Sequence, residues 1–201
     1  MKLVIMTKST FFVEEDKILT SLFEEGMDNL HLNKPGQAPM YSERLLTLLS
    51  EDYYSKITVH DHFYLKSEYK LRGIHIEDIQ ESAPEGYRGN VTRTCTKLED
   101  LKIAKKNANY VFLRPVFDSL RKGDKAGFTM EQLQEAARQG LIDKKVYAMG
   151  GMNIDNIRIA KDLGFGGVVV CSDLWNRFDI HHERDYRELI THFERLNKAV
   201  D

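Results

Sequence analysis

Short runs of apolar, β-branched residues recur along the chain, and the stretches between them are longer and amphipathic. That alternation limits the fold more than any single motif does. Leu3–Met6 is four consecutive apolar residues, the pattern of a strand buried on both faces. Further runs follow at Asn29–Leu32, Ile57–His60, Ile74–Ile76, Val91–Cys95, Tyr110–Leu113, Val146–Met149 and Gly167–Cys171. Between the first two, 14–25 carries Ile18, Leu19, Leu22 and Phe23 at helical spacing, and Gly26 stands as a C′ glycine. Helices are also expected over 42–49, 65–71, 96–107, 129–140, 154–163 and 186–196. Thr96…Glu99 and Thr129…Gln132 have capping-box spacing, and Asn153 is placed to cap the helix that follows it. The segment between the fourth and fifth runs is too short and too rich in Pro and Gly for a helix.

Strands that alternate with helices pair in parallel through right-handed crossovers. Eight such units in 201 residues predict an α/β chain forming one compact (β/α)8 barrel, a TIM barrel, over 1–201, with no second domain. The competing doubly wound sheet would want a glycine-rich phosphate loop after its first strand, and Met6-Thr7-Lys8-Ser9 is not one.

Charge narrows the partners. The 29 basic and 31 acidic residues leave a net charge of −2, without the basic excess of a nucleic-acid-binding domain. Small anions need only two or three local cations, so small-molecule substrates remain in view. Two cysteines, Cys95 and Cys171, cannot build a disulfide framework, which favours a reducing compartment. The N-terminal apolar run is too short for a signal peptide, and no stretch is long enough to span a bilayer. A cytoplasmic protein with no membrane partner is expected, and homo-oligomerisation stays open.

A barrel forms its active site at the C-terminal ends of its strands. Those ends carry His31, Asn33 and Lys34 (second), His60-Asp61-His62 (third), His75, Glu77 and Asp78 (fourth), and Arg93 and Cys95 (fifth). The loop from Arg114 to Phe128 offers Arg114, Ser119, Arg121 and Lys122, and could close as a lid. Gly150-Gly151 and Cys171-Ser172 end the last two strands. Glycines let backbone N–H groups approach an anion closely, so this pair with Ser172 is a phosphate-cradle candidate; the plainer reading is a tight turn. Asp61 with Asp78 or Glu77 could hold Mg²⁺, which favours a few carboxylates plus substrate phosphates. Asp78 could equally cap a turn. His31, His60 and His62 suit Zn²⁺ or Fe²⁺ better. His181-His182 reads as solvated.

Several segments together resemble one family. Ile57-Thr58-Val59-His60-Asp61, Gly73-Ile74-His75-Ile76, Ala108 through Phe117, Ala148-Met149-Gly150-Gly151-Met152 and Gly167 through Ser172 are similar, in order and spacing, to strand ends of the thiamine phosphate synthase/thiazole tautomerase family. The resemblance implies a Mg²⁺-dependent transferase of thiamine biosynthesis. It would condense hydroxymethylpyrimidine diphosphate with thiazole phosphate and release pyrophosphate. It implies Asp61 and Asp78 as Mg²⁺ ligands, Lys122 on the pyrophosphate, and Gly150, Gly151 and Ser172 on the thiazole phosphate. His31, Asn33, Lys34, His60, Ser119 and Cys171, from the strand ends and the loop, complete the candidate substrate-binding set. The sequence departs from the family at strand two, where His31-Leu32-Asn33-Lys34-Pro35 lacks the arginine of the pyrophosphate grip. At strand five, Arg93 replaces a serine, and Cys95 stands where the tautomerase branch has its histidine. Arg93 is therefore a candidate replacement cation and Cys95 a candidate proton shuttle. The alternatives are a tautomerase-type proton-transfer enzyme and a non-catalytic barrel that binds a phosphorylated thiamine precursor. A metal-dependent sugar-phosphate isomerase would want an Asp at strand seven, where Met149 and Gly150 stand.

Overall fold

Each β run pairs in parallel with the next, and the eighth returns to the first, closing the barrel β1-β2-β3-β4-β5-β6-β7-β8. The computed structural model describes residues 1–118, 125–179, 181 and 185–201. The strands are β1 (Lys2–Met6), β2 (Leu30–Leu32), β3 (Ile57–Val59), β4 (Gly73–Ile76), β5 (Asn90–Cys95), β6 (Tyr110–Leu113), β7 (Val146–Met149) and β8 (Gly167–Val170). Closure sets Lys2 beside Gly167 and Ile5 beside Val170. The helices are α1 (Glu15–Glu24), α2 (Pro39–Leu48), α3 (Tyr64–Glu68), α4 (Leu101–Lys106), α5 (Met130–Arg138), α6 (Ile154–Asp162), α7 (Ser172–Trp175) and α8 (Arg187–Val200).

The expected architecture is present, with local corrections. Helix α2 starts three residues before Ser42 because Pro39 occupies its first turn, where the missing N–H costs nothing. The box expected at Thr96 does not form: Leu98–Asp100 is a 3₁₀ turn, and α4 follows without a side-chain cap. The boxes at Thr129/Gln132 and Asn153/Asn156 do form, each with both reciprocal bonds. No helix separates β4 from β5, as the composition of that segment indicated.

Alternation within the strands sorts side chains into two layers. Ile5, Leu30, Val59, Ile76, Val111 and Val170 belong to the larger core, packed with helix residues such as Ile18, Leu22, Leu46, Leu133 and Leu189. Burying one such side chain contributes about 1.5–3 kcal/mol. The other parity faces the barrel interior. There Val4, Met6, Phe112, Tyr147 and Val169 form a small apolar cluster. From β2 to β5 the same parity carries His31, Thr58, His60, His75, Thr92 and Thr94, all buried. The interior is thus apolar on the β1, β6–β8 side and polar on the β2–β5 side. No helix among the described residues is long and apolar enough to cross a membrane.

Candidate active site

A cleft of about 310 Å³ opens at the strand ends of β1, β2, β7 and β8, with Thr7, Asn33, Gly150, Gly151, Cys171 and Ser172 among its lining residues. Gly150 and Gly151 have φ of +101° and +63°, a conformation that side chains disfavour. A Cβ on Gly151 would lie 2.1 Å from the Asp118 carbonyl oxygen. The pair therefore admits the backbone that follows β6, which is tied on by Val116 N–H donating to the Met149 carbonyl (2.9 Å). The plainer reading of the glycines, a tight turn, is what the backbone shows, and that turn walls the cleft. Asn153 spends its side-chain oxygen on the amides of Asp155 and Asn156 at the start of α6. Ser172 is held in place because Trp175, one turn on, donates to the Met6 carbonyl (2.7 Å), while Asp173 pairs with His192 of α8 (2.6 Å). Asn33 is fixed to the end of β1 by its amide, which donates to Thr7 Oγ1 (3.0 Å).

Half a turn of the barrel away, β3 and β4 bring acids and imidazoles together. The Oδ2 atom of Asp61 is buried and has no hydrogen-bond partner. Such an atom costs free energy unless something positive meets it. Glu77 accepts from His60 Nδ1 (3.2 Å) and pairs with Arg114 (3.5 Å). Burial pushes the Glu77 carboxyl up, but the bonds from His60 and Thr94 and the Arg114 charge together hold it below its ordinary value. Asp78 is exposed and accepts from the Gln80 amide (2.8 Å), so it caps a turn while its neighbour Glu77 joins the cluster.

Beneath Glu77 runs a hydrogen-bonded chain whose tautomers follow from its partners. Asn29 donates to the Tyr110 hydroxyl (3.1 Å), which donates to His31 Nε2 (2.7 Å). His31 then carries its proton on Nδ1 and donates to His60 Nε2 (2.8 Å), leaving His60 to donate to Glu77. Burial pushes the Tyr110 hydroxyl up to about 12, so it stays protonated. Burial, with the neighbouring imidazoles and guanidinium groups, holds His31 and His75 well below 6.5 and therefore neutral. His75 stacks on His60 (ring centres 4.1 Å apart) and bonds Thr92 (2.7 Å) and Thr94 (2.8 Å).

The model of the family described as thiamine monophosphate synthase matches residues 17–174. The chain belongs to that family. It is 48% identical to a thiamine phosphate pyrophosphorylase from Bacteroides thetaiotaomicron, with a TM-score of 0.92 over 100% of this chain and 98% of that one. A thiamine phosphate pyrophosphorylase from Pyrococcus furiosus is 20% identical, with a TM-score of 0.74 over 99% and 95% of the two chains. The phosphoribosyl anthranilate isomerase of Thermus thermophilus shares the fold at 16% identity, with a TM-score of 0.61 over 98% and 99%. No curated protein matches the sequence.

Against the family pattern, several residues expected at the mouth lie elsewhere. Lys34 is 2% exposed and bonds Glu15 Oε1 (2.5 Å) and the Thr10 carbonyl (2.9 Å), so its charge is spent inside the protein. Arg93 has the outward parity of β5. Its guanidinium donates to the Glu81 carbonyl (2.6 Å) and bridges to that of Asp78 (3.4 Å), anchoring the helix-less β4–β5 connection. Cys95 shares that parity, is buried in the helix-facing core and donates to the Lys97 carbonyl (3.0 Å). Burial raises its thiol pKa, the wrong direction for a proton shuttle near neutrality. His31 and His60 are both buried beneath the mouth. His62 turns to the Gln37 carbonyl (3.0 Å), and His75 takes its place in the histidine cluster. Lys122, Ser119 and Arg121 lie outside the described residues, as does His182. The stems of the 114–128 loop are joined by Gly127 donating to the Pro115 carbonyl (2.8 Å) and Ala126 to Asp118 (2.7 Å). Glu77 and Arg114, both candidates from their strand ends, meet across 37 residues of sequence, whereas Tyr110, which sequence reasoning did not single out, bonds His31 from 79 residues away and carried no local signal.

Proposed function

We propose that this chain is a thiamine phosphate synthase that joins hydroxymethylpyrimidine diphosphate to thiazole phosphate. The family and the 48% identical pyrophosphorylase support the activity. The observation that carries the site assignment is the pairing of a glycine-walled cleft at β7–β8 with the unpartnered, buried carboxylate oxygen of Asp61 at β3. In the reaction, the thiazole nitrogen forms a bond to the pyrimidine methylene carbon. The bond from that carbon to oxygen breaks, and the electron pair leaves with pyrophosphate.

The chain's own task is positioning and charge. Gly150, Gly151 and Ser172 hold the thiazole phosphate, with Asn33 and Cys171 walling the cleft. Asp61 is a hard oxygen ligand in want of a cation and fits Mg²⁺. Asp78, already bonded to the Gln80 amide, is the weaker second ligand, and Glu77 stands beside it. When bound, Mg²⁺ would neutralise the departing pyrophosphate. Arg114, held by Glu77, is the described cation at the mouth, and Lys122 is the proposed partner on the same loop. With Lys34 and Arg93 engaged elsewhere, the pyrophosphate grip rests on this β6 side. A chain with only two cysteines suits the cytoplasm, the setting we propose for the reaction.

The test is thiamine phosphate formation from the two substrates with Mg²⁺, followed by mass spectrometry. Asp61→Asn is expected to lower kcat by about 10²–10³-fold. Folded protein that binds thiazole phosphate yet makes no product, or Asp61→Asn with wild-type kcat, would overturn the proposal.

A further inference from the structure

We propose that Lys34 is a positioning residue for the glycine-walled cleft: it ties down the loop between β1 and α1, and that loop supplies one wall of the cleft. The proposal rests on reading the cleft as the thiazole-phosphate site. Asn33 and Pro35, on either side of Lys34, line the cleft together with Thr7 and Ser9 of the loop. Lys34 itself is buried and turns to the loop instead. Its ammonium donates to the Thr10 carbonyl (2.9 Å) and to Glu15 Oε1 (2.5 Å), and it lies 4.6 Å from the Phe11 ring centre. One side chain thus holds the loop at three points, the first of them the residue after Ser9.

Between Thr7 and Glu14 the chain forms neither strand nor helix, so its course depends on such anchors. Its start is fixed because Thr7 and Asn33 bond both ways, hydroxyl to carbonyl (3.2 Å) and amide to hydroxyl (3.0 Å). At its far end Glu14 takes a left-handed backbone, φ +69°, which a residue with a Cβ adopts only where its surroundings impose it. That turn sets Glu15 at the first position of α1 and directs it inward onto Lys34, at a helix start that has no side-chain cap. Midway, Phe12 packs edge-on against Trp175 (ring centres 5.8 Å apart) in α7, the helix that begins at Ser172. The loop therefore spans from the end of β2 to the cradle at β8, anchored by Lys34 on one side and Trp175 on the other.

Without Lys34 the stretch that carries Ser9 would run unrestrained from Thr7 to Phe12. The cleft would lose a preorganised wall, and the ligand would have to order it on binding. The effect falls on one substrate. This cleft is the one assigned to thiazole phosphate, whereas Asp61, Glu77 and Arg114 lie half a turn of the barrel away. A lysine that gripped the diphosphate would show instead in the KM of the pyrimidine substrate.

The test uses Lys34→Met with Glu15→Leu, which removes the pair without leaving either charge buried, and Phe12→Leu, which loosens the other anchor and keeps the pair. The double variant is expected to raise KM for thiazole phosphate about tenfold, and Phe12→Leu to raise it in the same direction. KM for hydroxymethylpyrimidine diphosphate and the saturating kcat should stay unchanged, a separation of the two substrates that a general loss of stability would not produce. Trp175 is the chain's one tryptophan, so its fluorescence reports the loop with no substrate present. Acrylamide should quench it more readily in both variants than in wild type, with circular dichroism showing that each is folded. Wild-type protein that fails to bind thiazole phosphate would sink the synthase reading, and the quenching alone would then decide whether Lys34 anchors the loop. An unchanged KM for thiazole phosphate in either folded variant would overturn the proposal, and so would unchanged quenching in the double variant. A raised KM for the diphosphate would overturn it too and return Lys34 to the pyrophosphate.

Discussion

Replacing Lys34 with methionine separates a structural lysine from a substrate-gripping one. Lys34 and Glu15 are both buried and bonded to each other, and Glu15 Oε2 already has no partner. Burial pushes Glu15 up and Lys34 down, each toward its neutral form, so the pair survives on mutual attraction against desolvation. Lys34→Met would leave a buried carboxyl alone, which costs about 3–5 kcal/mol. At about 2–4 °C per kcal/mol for a chain of this size, Tm should fall by roughly 6–20 °C. The sign with pH is fixed by linkage. A lone buried Glu15 has a raised folded pKa, so its folded form binds the proton better than the unfolded form does. The penalty is therefore greatest near pH 7 and shrinks as pH falls through that folded pKa toward the unfolded value. Changing both residues to apolar ones, Lys34→Met with Glu15→Leu, should recover most of the loss. Urea and thermal unfolding at two pH values, with KM for the pyrimidine diphosphate measured on the same samples, decide the matter. A Tm within 2 °C of wild type (under about 1 kcal/mol) together with a raised KM would refute the reasoning and return Lys34 to the pyrophosphate.

Other perturbations bear on the rest of the site. His31 and His75 stay neutral in the fold while the unfolded chain takes up protons near 6.5, so stability is lost as pH falls below that value. In chelator-containing buffer, His75→Gln should reduce the slope of stability against pH by about 1.4 kcal/mol per unit; an unchanged slope would show that His75 titrates alike folded and unfolded. Gly151→Ala places a Cβ against the Asp118 carbonyl and should weaken thiazole-phosphate binding about tenfold or more by calorimetry, a loss of about 1.4 kcal/mol. Arg93→Ala should cost about 1.5–3 kcal/mol and open the β4–β5 connection to limited proteolysis, with KM for the diphosphate unchanged.

The barrel, its strand order and two of the three proposed helix caps were legible in the sequence, because they depend on periodicity and on residues three or four positions apart. Thr129 finds Gln132 and Asn153 finds Asn156 whatever the rest of the chain does. The family resemblance was equally legible, carried by strand-end segments in order. Which way a strand residue faces was not. Both faces of a barrel strand are buried, so hydrophobicity cannot tell the interior from the helix side. Arg93 and Cys95 stand at a strand end, as active-site residues do, yet one step of parity turns both toward the helices and gives the interior to Thr92 and Thr94. Lys34 retained the charge a pyrophosphate grip needs, but Glu15, 19 residues earlier, claims it. The histidine cluster exchanged His62 for His75 for the same reason. Local rules place an imidazole on a strand, whereas closure of the sheet decides which imidazoles meet.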